Sequence, residues 1–85
     1  MTLLETIRQI ADQGYSVSFG QDQSELFGPG IDLTMWEYRD GMKHSATYHL
    51  STLALDQSIL GAEAMLVICL TRMTRELDRE LAQQA

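Results

Sequence analysis

A chain of 85 residues has room for one domain, and at this size folding buries only about 60–65% of the unfolded surface, so the core is thin. Apolar residues make up 45% and charged residues 21%, an ordinary globular composition that argues against intrinsic disorder. The net charge of −6 repels phosphate backbones and argues against direct nucleic-acid binding.

The first element is a helix over about residues 3–13. Thr2-Leu3-Leu4-Glu5 has capping-box spacing, in which Thr2 accepts from the third helical amide while Glu5 returns to the cap. Leu3, Ile7, Ile10 and Ala11 recur at helical spacing, and Gly14 suits the left-handed position that closes a helix. Tyr15, Val17 and Phe19 then alternate with serines, the pattern of a half-buried strand ending near Gly20. Residues 21–30, QDQSELFGPG, read as a loop with turn chemistry at Gly28-Pro29-Gly30. Leu26 and Phe27 within it either fold back as a plug on the core or form a contact tip.

Residues 31–50 read as one long hairpin. Asp40-Gly41 is the preferred dipeptide for a two-residue turn with both central φ values positive, and such a turn fixes the register. Ile31 then faces Leu50, Leu33 faces Tyr48, Met35 faces Ala46 and Glu37 faces His44 on one side. Asp32 faces His49, Thr34 faces Thr47, Trp36 faces Ser45 and Tyr38 faces Lys43 on the other. After a short connection at Ser51–Leu55, Asp56 is expected to cap a second helix running to about Gln83. Leu66, Leu70, Met73, Leu77 and Leu81 form its apolar stripe. In its first half, apolar residues from Ile59 to Cys69 extend nearly all round, so burial on more than one side is expected. Such a helix of about 27 residues spans roughly 40 Å, longer than a compact domain of this size at about 30 Å. The last two turns, with Leu77 and Leu81, are expected to overhang, so that either the end frays or a second chain covers it. The stripe is therefore read as a homodimer surface.

The whole is an α+β domain over residues 1–85, ordered α-β-β-β-α, a three-stranded antiparallel sheet with both helices on one face. This order resembles that of a double-stranded-RNA-binding domain, which grips phosphates with a lysine-rich cluster at the start of its second helix. Here no lysine or arginine occurs between Lys43 and Arg72, so the resemblance implies the fold and not RNA binding. In size, acidity and layout the chain also resembles small phage- and prophage-encoded accessory proteins, a group that includes inhibitors of host defence; that resemblance rests on no motif.

Catalytic chemistry finds little to stand on. His44 and His49 are five apart in a strand and point to opposite faces, so they cannot chelate one metal from that strand; each is read as half of a structural acid–histidine pair. Cys69, the sole cysteine, lies in LVICLT, where burial raises its pKa, and it permits no intrachain disulfide. No phosphate-binding glycine loop, zinc-ligand pattern or nucleophile elbow occurs. The expectation is a non-enzyme with no cofactor, no metal and no catalytic residues. Glu63 reads as solvent-facing within an apolar run, and Gly61 as a point of close helix approach. Arg72, Arg75 and Arg79 interleave with Glu76, Asp78 and Glu80 as a solvated, salt-bridged face in which Arg72 and Glu76 can pair.

Two functional readings survive. The first is a small acidic protein-interaction module that binds a protein partner, self-associates, or both. Its contact surface is the outer sheet face with Trp36, Tyr38 and Lys43; the alternative is that Trp36 and Tyr38 pack under the 21–30 loop. The second is a nucleic-acid mimic or inhibitor of a host nucleic-acid-binding defence system. Its surface is the span Asp12–Asp40, where six acids accompany the single base Arg39, with Asp22, Glu25 and Asp32 as contacts. The start MTLLETIRQ lacks a signal-peptide pattern, and the longest apolar stretch, Ile59–Leu70, is too short to span a bilayer. A cytoplasmic protein without membrane contact is expected.

Overall fold

The computed structural model describes residues 2–26 and 28–83. Helix α1 (Leu3–Asp12) leads into strands β1 (Ser16–Ser24), β2 (Gly28–Arg39) and β3 (Met42–Ser51), followed by a short helix α2 (Thr52–Gln57) and a long helix α3 (Ala62–Gln83). The sheet is antiparallel in the order β1-β2-β3, and the α+β class and element order are as expected from the sequence.

Helix α1 begins where the sequence places it. The Thr2 hydroxyl accepts the Glu5 amide at 3.1 Å, and the chain leaves the helix through Gly14 at φ +93°. The Tyr15 amide still reaches back to the Ile10 carbonyl, so α1 and β1 are joined by a tight corner. The β2–β3 hairpin turns at Asp40 and Gly41, with φ values of 55° and 79°, as a mirror-image turn requires. Every cross-strand pairing that this turn implies is present, from Ile31 opposite Leu50 to Tyr38 opposite Lys43.

Leu33 and Met35 of β2 are buried beneath Ile10 of α1 and Cys69, Leu70, Met73, Leu77 and Leu81 of α3. Helices α1 and α3 therefore cover one face of the sheet, and the odd-numbered residues of β2 point at them. Burial pushes the Cys69 thiol pKa upward, only partly offset by the nearby Arg72.

Three expectations for the segment from Phe19 to Gly30 are corrected. Residues 21–30 are not a loop: β1 continues to Ser24 and β2 begins at Gly28, with Gln21 opposite Ile31 and Asp22 opposite Gly30. Continued backbone pairing between the two arms, from Gln21 opposite Ile31 to Ser24 opposite Gly28, outweighs the turn signals of this polar stretch. Leu26 is 86% exposed in the connecting turn and is no plug; Phe27 lies outside the described residues. Phe19, expected on the buried side of a half-buried strand, is 44% exposed, on the edge strand β1.

The second helix is likewise divided. Ser51, not Asp56, provides the cap, its hydroxyl accepting the Ala54 amide at 3.0 Å. Ser58 ends α2 and takes the Leu60 amide on its hydroxyl and the Gly61 amide on its carbonyl. Gly61 turns the chain at φ +88° with open space where a Cβ would be. Its role is backbone reversal, not close helix approach. Ile59 and Leu60 fall in this turn and are exposed, and Ala64–Ile68 are only half-buried, so the segment is not enclosed on several sides.

The expected overhang is absent. A helix of 22 residues is roughly 33 Å long, and the molecule extends 40 Å along its longest axis. Leu77 and Leu81 are buried within the chain together with Leu70 and Met73, and Leu66 packs against the same cluster. The stripe assigned to a dimer surface is the core of the chain itself.

Candidate functional site

The even-numbered residues of β1 and β2 and the odd-numbered residues of β3 share the sheet face opposite α1 and α3. This outer face has two distinct ends. One holds Trp36, Tyr38 and Lys43 and the other Asp22, Asp32 and His49, with the Thr34 and Thr47 hydroxyls 3.5 Å apart between them.

At the aromatic end, the Lys43 ammonium stands 5.4 Å from the centre of the Trp36 ring, within cation–π range. Lys43 and Trp36 lie on adjacent strands in neighbouring rows, Lys43 being directly opposite Tyr38. Trp36 is half-buried by this neighbour and the sheet surface, while Tyr38 is 65% exposed. The turn at Glu25 and Leu26 lies far from them. Strand β2 begins at Gly28, and eight residues of strand at about 3.3 Å each separate that point from Trp36.

At the other end, His49 Nδ1 lies 2.8 Å from Asp32 Oδ1 and 3.6 Å from Asp22 Oδ2. The Asp32–His49 contact is the acid–histidine pair read from the hairpin register. Asp22 joins it only because β1 extends past Gly20, which the sequence reading did not foresee. Glu25 is exposed in the turn beyond and is not among the three residues brought together. A cleft of about 670 Å³ opens beside this cluster, lined by Gln21, Asp22, Gln23, Gly30 and Thr52 among others.

The second expected acid–histidine pair does not form. His44 is opposite Glu37 in register, but its ring is buried and its Nδ1 lies 3.7 Å from Glu80 of α3, while Glu37 lies 3.5 Å from Arg39. Acids of α3 also hold two tyrosines: the Tyr15 hydroxyl, just before β1, donates to Asp78 and the Tyr48 hydroxyl of β3 donates to Glu76. Glu76 is thereby bound to Tyr48 rather than to Arg72. Glu63 is exposed as expected, yet its Oε1 accepts the Leu3 amide at 2.9 Å, tying the start of α3 to the start of α1.

The acids of the Asp12–Asp40 span do not form one surface. Asp12 ends α1, Glu37 is on the helix-covered side, and Glu25 and Asp40 stand at opposite ends of β2. Among the described residues no helix is long and apolar enough to cross a membrane. Comparison with protein-family models, curated proteins and solved structures found no match.

Proposed function

We propose that this chain is a small non-catalytic interaction module that binds a protein partner through the aromatic end of its outer sheet face. The observation that carries the reading is the placement of Trp36 and Tyr38 side by side on the face opposite α1 and α3, with Lys43 over the indole. Tryptophan and tyrosine bring large, rigid contact area with a polar tip and are enriched at binding hot spots. A partner suited to this face offers apolar surface to the indole and an acceptor to Lys43. The mimic reading is weaker, because only Asp22 and Asp32 of the six acids in the Asp12–Asp40 span come together, and they do so around His49.

The test is paired affinity capture from native lysate with the wild-type chain and Trp36→Ala, accompanied by urea unfolding. The proposal expects a defined protein to be retained by the wild type and lost by the variant, with stability reduced by about 1 kcal/mol or less. Retention should persist at high salt, where a contact built on charge mimicry would be screened. An unchanged captured set would overturn the proposal, as would a stability loss of roughly 3–5 kcal/mol, which would mark Trp36 as core.

A further inference from the structure

The cluster at the other end of the outer face is left unused by that reading, and its geometry points to a different role. We infer that Asp22, Asp32 and His49 bind one divalent metal ion of the zinc class.

The sheet register assembles the three side chains from three different strands. Gly20, Asp32 and His49 form one row across the outer face, and Asp22, Gly30 and Ser51 form the next. Two diagonal positions, Gly20 and Gly30, carry no side chain, which leaves a hollow above the strands. Asp22 and His49 approach each other diagonally over Gly30, and Asp32 meets them from the centre. Their donor atoms all lie within 4.8 Å of one another.

The spacings suit a shared ion. Nitrogen and oxygen donors bound to one zinc ion at about 2.1 Å are roughly 3.0–3.4 Å apart in octahedral or tetrahedral geometry. The two contacts to His49 Nδ1, at 2.8 and 3.6 Å, bracket that range. The donor set is one imidazole and two carboxylates, which favours zinc, cobalt, nickel or manganese over the all-oxygen preference of calcium. Two carboxylates around a single imidazole also concentrate negative charge, which a divalent cation neutralises. Three protein ligands leave coordination positions open, and the cleft beside Asp22 and Gly30 gives water or a partner's side chain access to them.

Residue 30 supplies an independent observation that the place is built. A Cβ there would come within 2.8 Å of Cε1 and Nε2 of His49 and 2.4 Å of the Leu50 carbonyl oxygen. The imidazole thus occupies space that only glycine leaves vacant, and its ring is held where Nδ1 faces both carboxylates. A bound ion would staple the far ends of β1 and β2 to β3.

The experiment uses the full chain, with Zn²⁺ followed by titration calorimetry and Co²⁺ by visible absorption and by paramagnetic broadening of amide signals. The expected result is one ion per chain, with broadening centred on Asp22, Gly30, Asp32 and His49 and sparing His44, which faces the helices. Affinity should fall in His49→Gln and Asp32→Asn by more than the roughly 10–100-fold that loss of an outer-sphere partner costs. Gly30→Ala should weaken binding by displacing the ring. Broadening centred elsewhere, no binding at micromolar ion, or undiminished affinity in folded His49→Gln would each overturn the inference and leave the cluster a hydrogen-bonded structural pair. The wild-type broadening map decides the matter even where a variant fails to fold.

Discussion

The hydroxyl of Tyr15, at the corner between α1 and β1, donates to the carboxylate of Asp78 in α3, 63 residues away in sequence. Burial first, and then this hydrogen bond, push the tyrosine pKa upward from its ordinary value of 10.0. Below that value the tyrosine is protonated in both folded and unfolded chains, and the contact contributes in full. As pH rises through about 10, the unfolded chain releases its proton while the folded chain retains it, so stability falls with rising pH. Urea unfolding between pH 8 and 11.5 should show this decline. Tyr15→Phe should make it shallower and cost about 1–2 kcal/mol at pH 7. Some slope should remain in that variant, because the hydrogen bond to Glu76 raises the Tyr48 pKa as well.

Glu63 joins two helix starts through the Leu3 amide, one of the amides that α1 cannot satisfy internally. Glu63→Ala should lower stability by about 0.5–1 kcal/mol, at the lower end of helix-cap losses because the bond is exposed. Thr2→Ala, which removes the neighbouring cap, should cost about the same or slightly more. A change at position 63 within experimental error would mean that the Leu3 amide is equally well served by water.

The parts of this fold that were legible in the sequence are those governed by local chemistry. Asp40-Gly41 determines its own backbone angles, and the turn carries the whole β2–β3 register with it, including the Asp32–His49 pair. Thr2 and Gly14 mark the ends of α1 for the same reason. What was not legible depends on partners distant in sequence. Asp22 and Gly30 look like loop residues until β1 and β2 pair, and only then does Asp22 meet His49. His44 turns to Glu80 instead of Glu37 because α3 brings that acid within reach. The division of the second helix is a different case. Ser58 and Gly61 make the break, but the apolar periodicity on either side suggested continuity and Gly61 read as a point of close helix approach.

Two glycines with different duties should respond oppositely to the same change. Gly61 has φ +88°, a region where a Cβ costs roughly 1–2 kcal/mol, so Gly61→Ala should lower the unfolding midpoint accordingly. Gly20 lies in β1 with a φ outside that region and nothing within 4 Å of an added Cβ. Gly20→Ala should be neutral or stabilising by up to about 1 kcal/mol through reduced unfolded-state freedom. Equal losses at both positions would contradict the turn assigned to residues 58–61.

Leu77 decides whether the C-terminal half of α3 is core or interface. It repeats at helical spacing with Leu70, Met73 and Leu81, and all four are buried in the single chain beside Ile10, Leu33 and Met35. Deleting such a side chain removes its transfer free energy and leaves a cavity, so Leu77→Ala should cost about 2–5 kcal/mol. If the stripe is wholly intrachain, that loss and the wild-type unfolding midpoint should be independent of protein concentration from micromolar to millimolar. A surface shared between two copies behaves differently, because dimerisation links stability to concentration by mass action. Ile59→Ser is the matching control: its side chain is fully exposed in the turn before α3, and the change should move stability by no more than about 0.5 kcal/mol. A Leu77→Ala loss below about 1 kcal/mol, with a concentration-dependent midpoint in the wild type, would return the stripe to an interface between copies.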